Sequence, residues 1–126
     1  MAMNERKALD LWRRAVTSYV RTSDIDLSAR QQAIFLTIAL EAGPHTVRGL
    51  AADLNLAKPA VTRALDTLEK LGFVRRRRDE NDLRSVFIER TVDGVVWLRE
   101  FAGLIVAAEA GKDVGHPAVT RKIAVA

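Results

Sequence analysis

Basic side chains are concentrated in the middle of this sequence, in a pattern that suits a polyanionic partner. Residues 46–91 hold ten Lys or Arg against seven Asp or Glu, so +3 of the formal net charge of +4 falls in this window. Arg63 lies in an amphipathic stretch, a run of four arginines follows at 75–78, and Arg84 ends a turn-forming segment. Guanidinium groups match both phosphates and the O6/N7 edge of guanine. The residue types therefore indicate nucleic-acid binding.

Two short helices followed by a hairpin are predicted to position these cations. Apolar residues at helical spacing indicate helices over residues 47–54 and 58–71, joined by a tight turn, and Gly72 ends the second helix. Strands over residues 73–78 and 85–90 enclose a turn rich in Asp and Asn. Helix, turn, helix and hairpin in this order is the layout of a winged helix-turn-helix. The predicted fold class is therefore mainly α with a small β-hairpin wing.

The second predicted helix has an apolar face and a polar face. Its apolar stripe consists of Val61, Ala64, Leu65, Leu68 and Leu71. Its other side and flank carry the side chains available to a ligand, which are Pro59, Thr62, Arg63, Asp66 and Lys70. Taken alone, this pattern is typical of any amphipathic surface helix. The charged hairpin that follows it is what favours a nucleic-acid interface.

The hairpin allows two interpretations of its arginines. The run at 75–78 could protect an edge strand from aggregation by its charge, or it could neutralise a nucleic-acid backbone. At the tip, Asp82 stands two residues before Arg84 and could orient its guanidinium group. A narrow minor groove concentrates negative potential and attracts arginine. Arg84 is therefore predicted to enter a minor groove.

Three motifs occur in order along the chain: the stretch from Ala51 to Arg76, the wing pattern Asp79-x-x-Asp82-x-Arg84-Ser85, and Thr91-x-x-Gly94. Over residues 31–104, these motifs resemble the MarR-type family of bacterial transcription regulators. The resemblance implies a winged helix-turn-helix that binds DNA, with terminal helices that build a dimer. It also implies a very short strand near residues 45–46 that pairs with the wing.

Three residues depart from the family's pattern. Ala57 stands where a Ser-like capping residue is usual, and Leu83 where a second basic wing residue is common. The first weakens the cap of the helix over residues 58–71, and the second lowers the charge of the wing. Arg90 stands where a buried Leu is usual. Arg90 is therefore predicted to run its stem along the core or to face a partner.

The residues and the resemblance together predict a homodimer on double-stranded DNA with a pseudo-palindromic operator. Helix 58–71 would enter the major groove and wing 73–90 the minor groove. Arg63 is the candidate for a guanine contact, and Asp66 either accepts from cytosine N4 or is a helix-surface charge. The predicted DNA-binding residues are Lys58, Pro59, Thr62, Arg63, Asp66, Arg75, Arg76, Arg77, Arg78, Asp82 and Arg84.

Short polar residues are predicted to start several helices. A helix over residues 29–41 follows Ser28, which can cap it with Gln31 at the capping-box position. Thr46 and Thr91 are predicted to cap the helices that follow them.

The terminal segments are predicted to be helical. The helix over residues 4–21 carries Trp12 and Tyr19, for which burial in the core is the simpler interpretation and a dimer seam or a small-molecule pocket is the alternative. A helix over residues 92–108 is apolar around most of its circumference. Such a helix needs burial on more than one side, which favours a second copy of the chain.

The chain is expected to be one domain over residues 1–126, with a DNA-binding part at 28–91 and dimerisation helices at 4–21 and 92–126. The resemblance implies a repressor that a small-molecule effector releases, but no residue identifies an effector site. Two alternatives stay open. One is an architectural protein of the same fold that binds DNA without sequence choice. The other is a winged-helix module that binds proteins.

Several classes of function lack the residues they need. The absence of Cys excludes disulfides, thiol redox sensing and Cys-ligated zinc. His45 and His116 are isolated, and the sequence has neither a Ser-His-Asp set nor a phosphate-binding glycine loop. We therefore expect no enzyme, no cofactor and no metal. A sequence without a signal peptide or a membrane-spanning run predicts a cytoplasmic protein with no membrane partner.

Overall fold

The computed structural model describes residues 2–115, so His116 and the part of the predicted dimerisation segment 92–126 beyond residue 115 lie outside the described residues. Within that range the chain forms α1 (Glu5–Thr22), α2 (Ala29–Leu40), α3 (Val47–Leu54), α4 (Lys58–Lys70), β1 (Val74–Arg78), β2 (Val86–Arg90) and α5 (Val92–Glu109). The predicted fold class is confirmed. We call α4 the recognition helix, and we call β1, β2 and the turn 79–85 the wing.

Short polar side chains start most of these helices. The Gln31 backbone N–H donates to Ser28 Oγ at 3.1 Å, and the Gln31 side chain accepts from the Ser28 N–H at 2.8 Å, which is the predicted capping box. Thr46 and Thr91 accept backbone N–H bonds in the same way, as predicted. Asn4 caps α1. These caps satisfy backbone donors that would otherwise lack a partner at each helix start.

The turn within the helix-turn-helix and the end of α4 both need left-handed backbone. Asn55 has φ 53° after α3, and Gly72 has φ 81° after α4. The Gly72 N–H donates to Glu69 O and the Phe73 N–H to Leu68 O, both at 2.9 Å. This bonding pattern is a Schellman motif, so the predicted glycine stop is confirmed. Leu71 is 37% exposed rather than part of the buried stripe, because α4 ends at Lys70 and its periodicity stops there.

The wing is an antiparallel pair that receives one additional bridge. Val74 pairs with Arg90 at the base and Arg78 with Val86 at the tip. The Ile88 N–H donates to His45 O at 2.9 Å, which confirms the short pairing predicted near His45. The bridge ties the segment between α2 and α3 to the middle of β2.

Arg90 makes a contact with the backbone of α2 that the sequence did not predict. It is exposed, and its guanidinium group donates to the carbonyl oxygen of Ala39 in the last turn of α2. The last carbonyls of a helix lack partners within the helix and carry the negative end of its dipole. A cation placed there satisfies a free acceptor, which explains why this position tolerates Arg in place of Leu.

The described chain divides into two compact units, and the larger one spans Leu27–Trp97. Its core is built from α2, the buried stripe of α4 and the wing. The rings of Phe35 and Phe73 stack at 5.5 Å between centroids, and Trp97 packs against both. The buried side chains around them include Ile34, Leu50, Val61, Leu65, Leu68, Val74 and Ile88. This core fixes the polar face of α4 outward.

The other unit comprises the described residues up to Asp26 and from Leu98 onward. Phe101 lies edge-on to Trp12 at 6.2 Å and to Tyr19 at 5.4 Å. Trp12 is nevertheless 49% exposed, so its predicted placement in the core is wrong. The side of α1 that is buried within the chain carries Ala15 and Ser18 instead. Periodicity detects an apolar stripe, but it does not reveal whether the covering surface belongs to the same chain.

None of the helices in the described range 2–115 has the length and apolar character needed to cross a membrane.

Candidate nucleic-acid interface

The recognition helix presents its polar face to solvent. Val61, Leu65 and Leu68 are completely buried, whereas Thr62 and Arg63 are exposed. A single turn of helix therefore holds core residues on one side and candidate contacts on the other. This arrangement follows from the 3.6-residue period, which places residues one apart roughly 100° from each other around the helix.

The start of the recognition helix has no side-chain cap. Ala57 has the extended backbone of a capping residue (φ −70°, ψ 144°), but its methyl group cannot accept a hydrogen bond. Lys58 and Pro59 follow as the first two helical residues, and both are exposed. Proline suits this position because the missing N–H has no partner there anyway. The predicted loss of a cap at Ala57 is confirmed.

The tip of the wing is organised by one carboxylate. Asp82 accepts from the backbone N–H of Arg84 at 3.1 Å and from the Ser85 hydroxyl at 3.3 Å. Its contact with the Arg84 guanidinium is long, with Nε to Oδ1 at 3.8 Å. The Arg84 side chain is 97% exposed. Asp82 therefore shapes the turn chiefly through the backbone, and leaves the guanidinium group of Arg84 available to a ligand.

The arginine run is largely paired with acids, which the sequence did not reveal. Arg75 and Arg77 both bind Glu89 across the hairpin, and Arg77 also lies 5.4 Å from the centroid of the Phe87 ring. The hydrogen bond from Arg77, followed by that from Arg75, lowers the pKa of Glu89, while Glu89 raises the pKa of Arg77. These two arginines share one countercharge on one face of the wing.

The remaining arginines of the run point elsewhere. Arg76 binds Glu69 Oε1 at 2.8 Å and Asp66 Oδ1 at 2.9 Å, so it joins the wing to the recognition helix. Arg78 donates to Leu83 O at 2.7 Å and braces the turn. Asp66 is therefore occupied by Arg76 in this structure.

Other cations of the larger unit are unpaired. Across residues 2–115, Lys58, Arg63 and Lys70 on the recognition helix have no hydrogen bond or ion pair through their side chains, and neither does Arg48. Arg48 is exposed at the second position of α3, and composition alone did not single it out as a free cation. A signal was present, because Arg48 is a lone cation at the start of the first helix of the helix-turn-helix.

The residues considered for an effector lie in the other unit. Trp12 lines an open depression of about 790 Å³ together with Leu9 and Arg13. Tyr19 donates its hydroxyl to the carbonyl oxygen of Ile25. The structure thus gives Trp12 a solvent-facing surface and Tyr19 an internal hydrogen bond.

Comparison with known sequences finds similarity to the middle of the chain. Residues 29–86 match the model of the MarR family. The chain is 46% identical over 48 residues to an HTH-type transcriptional regulator of Bacillus subtilis, YcgE, covering 38% of this chain and 31% of that protein. It is 33% identical over 70 residues to the transcriptional regulator AdcR of Streptococcus pneumoniae, covering 56% and 47%. The matched parts thus span less than half of the length of these curated relatives.

Comparison with solved structures extends the likeness in fold. A variant of S. aureus MepR bound to an oligodeoxyribonucleotide superposes with a TM-score of 0.71 at 20% identity, covering 82% of this chain and 74% of that one. The adhesin competence repressor AdcR of Streptococcus pyogenes gives 0.57 at 24% identity, covering 81% and 73%. At such identities the likeness concerns the fold. Together with the family match, it confirms the MarR-type resemblance.

Proposed function

We propose that this chain, whose residues 29–86 match the MarR family model, is a transcription regulator that reads duplex DNA through its recognition helix and wing. One observation carries the proposal: Arg63 stands exposed and unpaired in the described chain, on a helix whose opposite face is anchored in the core. A rigid helix with an outward guanidinium group fits the major groove, where the fork of Arg matches guanine O6 and N7.

The other proposed contacts divide by chemistry. Lys58 serves as a phosphate contact beside Pro59 at the start of the recognition helix, and Thr62 meets a thymine methyl group or a phosphate. Arg84 enters the minor groove at the tip that Asp82 shapes. The arginine run 75–78 contributes positive electrostatic potential near the DNA backbone. Because most of these arginines are paired with acidic side chains, the net positive charge of the wing is smaller than the run of four arginines suggests.

Two copies of the chain are proposed to bind together. Apolar side chains stand exposed on the terminal helices, including Leu9 at 72% and Val20 at 70% on α1 and Val106 at 66% on α5. A second copy related by a two-fold axis would cover such surfaces. A two-fold dimer places its recognition helices about one DNA turn apart, so the operator would be a pseudo-palindrome with half-sites about 10 bp apart.

Repression in the cytoplasm, with release by a small-molecule effector, is the regulatory part of the proposal. It follows the family resemblance, and the support within the chain is the half-exposed Trp12 beside an open depression. An aromatic ligand that stacks there would change the fluorescence of Trp12.

The test is selection of duplexes from a random pool, followed by binding measurements at two salt concentrations. We expect a pseudo-palindromic consensus and tight binding that retains its sequence preference at the higher salt. Binding without enrichment and with a steep salt slope would favour the architectural alternative. Weak, non-saturating binding at low salt would favour the protein-interaction module. Either of these two results would contradict the proposed function.

A further inference from the structure

Arg76 connects two elements that must act together on DNA. Its Nη1 donates to Glu69 Oε1 at 2.8 Å and its Nη2 to Asp66 Oδ1 at 2.9 Å. The backbone N–H of Arg76 also donates to Glu69, at 3.2 Å from Oε2. Three bonds therefore join the first strand of the wing to the outer face of the recognition helix.

The surroundings of Arg76 make it a poor phosphate ligand. Its side chain is 27% exposed, compared with 97% for Arg84 at the tip. Two carboxylates face one guanidinium group, so the cluster of Asp66, Glu69 and Arg76 carries a net charge of −1. A phosphate approaching this cluster meets a net negative charge, and both terminal nitrogens of the guanidinium group already donate to carboxylates. Arg76, which the sequence pattern assigned to the DNA backbone, is thus bound to two carboxylates of its own chain.

We propose that Arg76 is a positioning residue, which holds the wing at a fixed angle to the recognition helix so that Arg63 and Arg84 meet one duplex at a set separation. The inference rests on the proposed function and adds a determinant of specificity to it. A planar guanidinium fork can hold two carboxylates one helical turn apart, whereas an ammonium group is a single point charge. Exposed ion pairs add little to the stability of a fold. The ion pairs of Arg76 therefore act on the orientation of the wing relative to the recognition helix. Asp66 then serves Arg76 and not a base.

The first test separates positioning from phosphate binding. If Arg76 bound a phosphate, Arg76→Ala would reduce the slope of log K against log salt by about 0.9. Positioning predicts an unchanged slope together with a loss of flank selectivity, measured as the ratio of Kd values for duplexes with A·T or G·C flanks. We expect that ratio to fall toward 1 in Arg76→Ala. Arg76→Lys should lose it too, although Lys would replace Arg at a phosphate.

The second test releases Arg76 from its partners. In the double variant Asp66→Asn, Glu69→Gln the guanidinium group becomes free to bind phosphate, so the slope should steepen by about 0.9 while flank selectivity falls. When the same two changes are added to Arg76→Ala, the slope should equal that of Arg76→Ala alone. Comparing the two backgrounds in this way isolates the part of the slope change that depends on Arg76. The control is Glu100→Gln, Glu109→Gln, which alters the net charge equally on α5 and removes no hydrogen bond to Arg76.

Three results would overturn the inference. They are a shallower slope in Arg76→Ala, wild-type flank selectivity in Arg76→Lys, and a steeper slope on release that persists without Arg76. Any of these, seen beside a wild-type chain that selects its duplex, leaves the proposed function standing. If the wild-type chain selects no duplex at all, the proposed function fails and this inference fails with it.

Discussion

The side chain of Arg84 is almost fully exposed, and its backbone is held in the turn at the tip of the wing. Because Asp82 holds the backbone N–H of Arg84, the tip is ordered without occupying the guanidinium group at short range. We predict that Arg84→Ala weakens binding most for duplexes with A·T flanks, since narrow minor grooves attract arginine. Fluorescence anisotropy titrations on A·T-flanked and G·C-flanked duplexes measure this. The control is Leu83→Ala, which truncates the exposed neighbour. Equal losses on both flanks would contradict a minor-groove contact.

Ala57 offers a second prediction at the scale of one residue. Its backbone already has the conformation of a helix cap, but no side-chain oxygen is present. Ala57→Ser should therefore raise the free energy of unfolding by about 0.5–2 kcal/mol. Urea denaturation measures the change, with Ala52→Ser inside α3 as the control. Serine within a helix is slightly unfavourable, so a gain of the same size in both variants would show that capping is not the cause.

Residue-level features that depend on close neighbours in sequence could be predicted. The cap at Thr91 and the glycine stop at Gly72 follow from local backbone rules, and the structure has both. The pairing of Arg76 with Asp66 could not be predicted, because it depends on the angle at which the wing leaves the recognition helix. For the same reason, the sequence did not indicate how many of the four arginines at 75–78 lack an acidic partner.

At the scale of elements, the first turn of α5 is hydrogen-bonded to the segment Gly72–Phe73, which joins the recognition helix to the wing. The Thr91 hydroxyl donates to Gly72 O at 2.5 Å and accepts from the Gly94 N–H at 3.0 Å. A Cβ at Gly94 would lie 2.3 Å from Phe73 O and 3.1 Å from the Phe35 ring. Glycine is therefore required here by the close approach of two backbones. The junction is set by this contact as well as by the helix-ending motif.

Two glycines of α5 provide a matched pair of substitutions. Gly94→Ala should lower the free energy of unfolding by about 1–3 kcal/mol, because the added methyl group forces backbone to shift in a packed site. Gly103→Ala adds the same atom where nothing lies within 4 Å, and should raise it by about 1 kcal/mol through helix propensity. Urea denaturation compares them directly. A similar change in both variants would show that the close approach at Gly94 has no energetic weight.

The direction of the faces of α1 was the part of the fold that the sequence misjudged. Leu9 and Val20 recur at helical spacing, yet both are largely exposed, while Ala15 and Ser18 are buried. Periodicity reports which residues form an apolar stripe on a helix. It cannot report whether the chain itself or a partner covers them.

At the scale of the whole molecule, these exposed residues lead to a prediction about assembly. Light scattering should give the mass of a dimer for the wild-type chain. Val106→Glu places a charge on an exposed apolar position of α5 and should yield a monomer, because a charge buried without a partner is costly. Leu83→Glu makes the same change at the wing tip and should remain dimeric. A wild-type monomer at every concentration, or a dimer in both variants, would contradict the proposed assembly.

The most direct test concerns Arg63, because the account rests on this side chain reading a base from the exposed face of the recognition helix. The measurement is the affinity of wild type, Arg63→Ala and the control Lys70→Ala for the selected duplex and each of its single base-pair variants. Arg63→Ala should lose about 1–3 kcal/mol and cease to discriminate at one position per half-site, while Lys70→Ala keeps the full pattern of discrimination. If Arg63→Ala binds as tightly as wild type with the same preference at every position, the central claim is wrong.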